Sequence, residues 1–305
     1  MRNSIIVGTR GSALALAQTK QIIQTLKGLE PSLRFEVTEI KTKGDNAREL
    51  RESALEGKRL FTKEIEEALI NKDIRIAVHS MKDLTTELPT GLKIAAVPQR
   101  SDHRDALISR DKRKFEQLSG GARVGTSSPR RKTQLLAARN DLHVLDMHGN
   151  VDTRLRKLEA GECDAIIVAA AGLERLGMEK RATELLSTRV MLPAVGQGAL
   201  AVEAREDDEE IVELLSRINH EATYRAVEAE RAFARKLGAN CRTPIAAFAT
   251  VLDTKLRIDG MVASSDGRML LRTQLVSDKS DPKKVGEELA ESLLSKGAQL
   301  VLEAA

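Results

Sequence analysis

The stretch Leu60–Leu84, LFTKEIEEALINKDIRIAVHSMKDL, changes character halfway along. Its first half, LFTKEIEEALINK, sets Leu60, Ile65 and Leu69 on one side of a helix and charged residues on the other. Its second half, IRIAVHS, is a short apolar run that reads as a strand, and it delivers His79, Ser80, Lys82 and Asp83 at its end. Upstream, SIIVG at 4–8 reads as a buried strand and Ser12 to Leu29 as an amphipathic helix. RFEVTEI at 34–40 alternates like a strand, and LKIAAVP at 92–98 is another apolar one. The segment 43–58 is polar, lacks periodicity and reads as a loop. Strand and helix alternate with continuous apolar strands, which argues for an α/β lobe: a mostly parallel sheet covered by helices.

After a polar break at 99–104 (QRSDHR) the same rhythm returns. ARVGTSS (122–128), LHVLDM (142–147) and DAIIVAAAG (164–172) read as strands, with helices over 129–140 and 151–161. LPAVGQGALAVEAR (192–205) then carries Pro and two Gly ahead of a further apolar strand. The pattern predicts two similar α/β lobes joined by hinge crossovers, with ligand binding in the cleft at strand C-terminal ends. From about residue 219 the order changes: one long helix, three strands (PIAAFATV, LRIDGMVA, MLLRTQLVS) and a final helix from Pro282. That is a smaller α+β domain. The expected boundaries are 1–98 with 199–218, then 104–193, then 219–305.

Composition narrows the function classes. A chain of 305 residues exceeds what one core organises, and 41% hydrophobic with 31% charged residues describes a globular protein. No run of ~18 apolar residues occurs and the first residues lack a signal-peptide core, so no membrane association and a cytoplasmic location are expected. Two cysteines without a CxxC pair, and histidines at 79, 103, 143, 148 and 220 without ligand spacing, predict no metal. A net charge of +4 with interspersed signs and 2% aromatics argues against nucleic acid, which wants a basic stripe and stacking rings. A small polyanionic substrate held by cleft arginines remains.

Arginines recur where strands hand over to helices. Arg10 follows the first strand in VGTRGSALALAQ. In GTSSPRRKTQL, Ser128 suits the N-cap and Pro129 the first helical position, which puts Arg130 and Arg131 in the first turn. Cations there oppose the helix dipole, so helix stability does not explain them and a bound anion would. Arg154 and Arg175 sit similarly, and arginine suits carboxylates through bidentate bonds. Asp83 is either part of an ordinary turn with Lys82 or a cleft carboxylate able to stabilise a cationic transition state. Cys163 reads as a small hydrophobe beside a buried strand. Cys241, in KLGANCRTPIAAF, follows a helix C-terminus whose dipole opposes a thiolate, while Arg242 favours one.

These motifs, with KTKGD, DHRDALIS, GNVDTRLRKL, DAIIVAAAGLERLG and ERAFARKLGANCRTPIAA, run in order along nearly the whole chain. Together they resemble the porphobilinogen deaminase (hydroxymethylbilane synthase) family. The resemblance implies three domains, the first two like type II periplasmic binding proteins. It also implies a dipyrromethane cofactor in thioether linkage to Cys241. On that primer four porphobilinogens would join head to tail, each losing ammonia to leave an azafulvene-like cation, before hydroxymethylbilane is released by hydrolysis. By the same resemblance Asp83 is the catalytic aspartate, and Ser80 and Lys82 bind cofactor carboxylates. Arg10, Ser12, Thr126, Ser128, Arg130, Arg131, Arg154 and Arg175 hold cofactor or substrate side chains. Gln18 and Gln197 line the cleft, and Lys58 and Phe61 belong to the active-site loop and its edge. The partners implied are porphobilinogen and the growing polypyrrole, acting on a monomer. One departure stands out: the family has arginine before Gly-Asn-Val, whereas this chain has His148, a single ring in place of a five-donor fork, which is expected to stay a weaker cofactor- or substrate-binding residue with neighbouring arginines compensating. Arg59 likewise replaces the more common glycine. The competing reading is a non-catalytic two-lobed binder of a carboxylated molecule, which needs neither Cys241 nor Asp83.

Overall fold

The structure is a computed structural model describing residues 4–43, 61–240 and 243–303. Lys58, Arg59 and Cys241, with all but the first residue of the expected loop at 43–58, lie outside the described residues. The chain divides into two compact units, residues 1–100 with 199–224, and residues 101–198 with 225–305.

In the first unit, β1 (Ile5–Thr9), α1 (Ala13–Leu29), β2 (Phe35–Glu39), α2 (Lys63–Ile70), β3 (Ile76–Ser80) and β4 (Leu92–Ala96) follow the sequence reading closely. Ser12 caps α1, its Oγ accepting the N–H of Ala15, and Ile22 and Leu26 face the core. β10 (Leu200–Arg205) completes a sheet of order β2-β1-β3-β10-β4. β1, β2 and β3 pair in parallel, while β10 runs antiparallel to both β3 and β4. Four strands therefore share one direction and only the returning strand opposes them. One face packs Val7, Ile76, Val78 and Val202 with Ile22 and Leu26 of α1 and with Ile211 and Leu215 of a helix at Glu209–Ser216. The other packs Ala77 with Ile65 and Leu69 of α2. Burial on both faces explains why β3 reads as an unbroken apolar run.

The second unit repeats the arrangement. β5 (Asp105–Ser109), β6 (Arg123–Gly125), α3 (Pro129–Ala138), β7 (His143–Leu145), α4 (Val151–Glu159), β8 (Ala165–Ala169), α5 (Ala170–Arg175) and β9 (Glu184–Leu185) form a sheet of order β7-β6-β8-β5-β9. β6 pairs in parallel with β7 and β8, and β5 runs antiparallel to β8 and β9. In each sheet the reversed strand is the first after a crossover. The apolar pattern offered no strand for β5, whose apolar core is only Ala-Leu-Ile, nor for the two-residue β9.

The same unit holds an antiparallel sheet of β11 (Ile245–Leu252), β12 (Lys255–Ala263) and β13 (Leu270–Asp278). Three helices belong with it: α7 (Glu221–Lys236), α8 (Pro282–Ser295) and α9 (Ala298–Glu303), the Glu209–Ser216 helix being α6. Phe233, Ile258, Leu289 and Leu293 centre its core. α7 ends on Gly238 at φ +62°, the left-handed conformation that stops a helix, with the Ala239 N–H donating back to the Ala234 carbonyl.

Candidate functional site

In the first unit the polar residues gather where β1 and β3 end. The Arg10 guanidinium lies 4.4 Å over the Phe61 ring, a cation–π contact. Gln18, buried on α1, donates from Nε2 to Ser80 Oγ at 2.7 Å, tying the helix to the last residue of β3. The ladder runs one step beyond the strand, the Met81 N–H donating to the Ala199 carbonyl at 3.1 Å. Met81 is buried, and the single 3-10 turn Met81–Asp83 swings Lys82 and Asp83 into half-exposed positions. Asp83 has no hydrogen bond or ion pair with any described residue. A carboxylate so placed is available for a cation or an N–H donor.

In the second unit the helix start predicted from GTSSPRR is present. Thr126 Oγ1 accepts the Ser128 N–H at 3.2 Å, Ser128 Oγ accepts the Arg131 N–H at 3.5 Å, and Pro129 opens α3. Arg130 and Arg131, however, are buried, and both turn onto Asp105 at the start of β5. Arg131 donates from Nε at 3.0 Å and Nη2 at 2.7 Å to Asp105 Oδ1, while Arg130 donates from Nη1 to Oδ2 at 2.8 Å. The Leu192 and Ile167 carbonyls accept a further bond from Arg130 and Arg131. Gln197 Nε2 donates to the same Oδ1 at 3.1 Å and to the His103 carbonyl at 2.8 Å. Gln197 is held between Gly196 and Gly198, at φ +71° and +88°, and a β-carbon on Gly198 would meet the Ser101 carbonyl oxygen at 2.6 Å.

Asp105 thus supplies part of the negative charge that the first-turn arginines call for. It was missed because it lies on the strand that the apolar pattern also missed. The signal available was the unbalanced pair at the helix start, which cannot tell an internal carboxylate from a ligand. One carboxylate against two guanidiniums still leaves the cluster positive. Arg154 adds to it, with Nε donating to the Gly149 carbonyl at 2.7 Å. Burial pushes its pKa down to about 10, Arg131 pressing the same way and Asp146 opposing. Arg175 donates from Nη2 to the Gly198 carbonyl at 2.8 Å and to Ser101 Oγ at 3.2 Å, while its buried Nε has no partner among the described residues. Burial pushes Arg175 down to about 10 as well. At about 10, Arg154 and Arg175 stay charged at neutral pH. A polycarboxylate fits this surplus, and a bound carboxylate would restore part of what burial removes.

His148 is exposed, and its Nε2 lies 2.9 Å from Asp146 Oδ2. Cys163 is fully buried, and burial pushes its thiol pKa up, as expected of an inert cysteine. The segments flanking Cys241 are pinned to each other: the Asn240 N–H donates to Thr243 Oγ1 at 3.0 Å and the Thr243 N–H to the Asn240 carbonyl at 3.1 Å. No cluster of metal-ligating side chains occurs among the described residues, and no described helix is long and apolar enough to cross a membrane.

Comparison with known proteins adds the family. A model described as "Porphobilinogen deaminase, dipyromethane cofactor binding domain" matches residues 5–213, and one described as "Porphobilinogen deaminase, C-terminal domain" matches residues 224–295. Porphobilinogen deaminase of Carboxydothermus hydrogenoformans is 48% identical over 99% of this chain and 97% of its own. The Thermus thermophilus protein of that name is 48% identical over 98% of each chain. The Bacillus thuringiensis protein is 50% identical over 99% of this chain and 97% of its own. The chain belongs to the porphobilinogen deaminase family.

Proposed function

We propose that the chain is a transferase of tetrapyrrole biosynthesis that deaminates porphobilinogen and joins four units head to tail, releasing hydroxymethylbilane. The observation that carries this reading is the surplus of buried and half-buried guanidinium around Asp105, matched to a substrate that brings two carboxylates with every ring. The buried, partnerless Nε of Arg175 is a donor suited to such a carboxylate.

Dipyrromethane, when bound through the Cys241 sulfur, supplies the free pyrrole carbon on which the chain grows. Ser80 and Lys82 in the first unit hold cofactor carboxylates, and Thr126, Ser128, Arg130, Arg131, Arg154 and Arg175 in the second hold cofactor or substrate side chains. Arg10 and Ser12 act likewise, with Gln18 fixing Ser80 and Gln197 fixing Asp105. The Asp83 carboxylate accepts the pyrrole N–H and balances the positive charge that develops as ammonia leaves the incoming ring. The same carboxylate receives the proton that the joined ring gives up once the new carbon–carbon bond has formed. Residues 219–305 act as a third domain, supported by their own hydrophobic core, and carry the cofactor cysteine. The enzyme works as a cytoplasmic monomer.

Incubating the purified holoenzyme with porphobilinogen tests this reading. The expected result is stoichiometric ammonia release with formation of a linear tetrapyrrole. Saturable binding without ammonia release would leave only a two-lobed binding protein.

A further inference from the structure

Behind the Ser80–Asp83 turn lies a titratable pair that the proposed reaction does not use. His79 and Glu203 are almost wholly buried, with 3% and 0% of their side chains exposed, and His79 Nε2 stands 3.1 Å from Glu203 Oε2. Strand register places them there: Ala201 is the partner of His79 and Glu203 the partner of Ala77, so the two side chains share a face of the sheet as diagonal neighbours. That face packs under α2, where Ala77 meets Ile65 and Leu69. Among the charged residues of these elements, Glu66 of α2 is buried, and Arg205 of β10 donates to the Leu69 and Ile74 carbonyls. Neither Glu203 oxygen nor His79 Nε2 makes a well-aligned hydrogen bond with a described residue, so what joins the two is their 3.1 Å approach on the buried face.

Such a pair is a poor way to stabilise a fold. The cost of desolvating both groups roughly cancels their attraction, and apolar residues of like volume serve as well or better. Its position is more informative. His79 immediately precedes Ser80, and the rungs that follow, Ser80 with Leu200 and the Met81 N–H with the Ala199 carbonyl, are the last before the chain turns toward Asp83. A link between β3 and β10 at this point fixes the direction in which the turn leaves the sheet.

The structure assigns His79 and Glu203 a role as positioning residues: a buried imidazole–carboxylate pair that fixes the Ser80–Asp83 turn and so sets turnover rather than substrate affinity. This rests on the reading of Asp83 as the reacting carboxylate. Ser80 and Lys82 of the same turn hold carboxylates of the covalent cofactor, whose loading is counted separately, and the arginines that take substrate carboxylates in the second unit are untouched, so the effect belongs in kcat.

The test uses holoenzyme carrying Glu203→Gln, His79→Gln, both together, and Asp83→Ala, with kcat expressed per cofactor-loaded chain by intact mass. A displacement of a reacting group by about 1 Å costs up to ~10²-fold. The single exchanges should therefore lower kcat ~10- to ~10²-fold with KM within about threefold, and the double variant should be no worse than the poorer single, as expected of one coupled unit. A per-loaded-chain kcat within about threefold of wild type in both singles overturns the proposal, as do losses that multiply in the double variant. Should a single exchange yield insoluble chain, the apolar pair His79→Leu with Glu203→Met replaces it, since removing both charges together is tolerated. Wild-type kcat in that variant also overturns the proposal. Near-normal turnover in Asp83→Ala sinks the reading of Asp83 itself; lost turnover there beside unaffected pair variants sinks only the positioning role.

Discussion

Asp105 takes the charge of two arginines, and its removal is the sharpest single-residue test of the second-unit cluster. Asp105→Asn leaves two buried guanidiniums facing a neutral amide, a change of the kind that costs about 3–5 kcal/mol. Urea unfolding should show a loss of that size; a change below about 1 kcal/mol would mean that the arginines find other partners. Asp83, by contrast, binds nothing within the described fold, so Asp83→Ala should leave stability unchanged and lower turnover by at least ~10²-fold. Turnover close to wild type would remove it from the mechanism. His148 is engaged with its own neighbour Asp146, while Arg154 is half-buried and charged close by in sequence. His148→Arg is accordingly expected to change turnover by less than about tenfold. A gain of orders of magnitude would show that the arginines do not compensate. The placement of Asp83 and of the helix-start arginines at element ends was legible because each closes an apolar run or opens a capped helix. Asp105 was not, because its importance comes from two residues further along the chain that meet it only after folding.

Among the elements, α1, α2, α3 and β3 were legible because cap residues and apolar periodicity are local signals. β5 was not, because full burial of a strand with so few apolar residues depends on the β8 and β9 neighbours that cover it. Strand order was equally hidden: the insertion of β10 between β3 and β4, and of β5 between β8 and β9, depends on pairing across long separations. The α7–α8 contact is likewise a matter of tertiary approach. A β-carbon on Gly286 would overlap the Ala229 carbonyl and lie 2.9 Å from the Phe233 nitrogen. Gly286→Ala should therefore push the helices apart and destabilise by roughly 1–3 kcal/mol, while kcat per loaded chain is retained. A melting temperature equal to wild type would contradict so close a packing.

At the scale of the whole molecule the chemistry divides by chain segment. The first unit carries Asp83 at the end of a strand buried on both faces, the second carries the guanidinium surplus, and α7 leads through Gly238 to the residues flanking Cys241. Cys163 is sealed in an apolar core, whereas Cys241, outside the described residues, is the proposed anchor. An anchor that reacts once and then holds its primer needs no strongly depressed pKa. Intact-mass spectrometry after expression with porphobilinogen available shows whether a covalent dipyrromethane on Cys241 serves as primer. The wild-type and Cys163→Ser chains should each carry the mass of two added pyrrole units, and Cys241→Ser should be bare. An unmodified wild-type chain, or a Cys241→Ser chain that keeps the addition, would rule out a primer on Cys241.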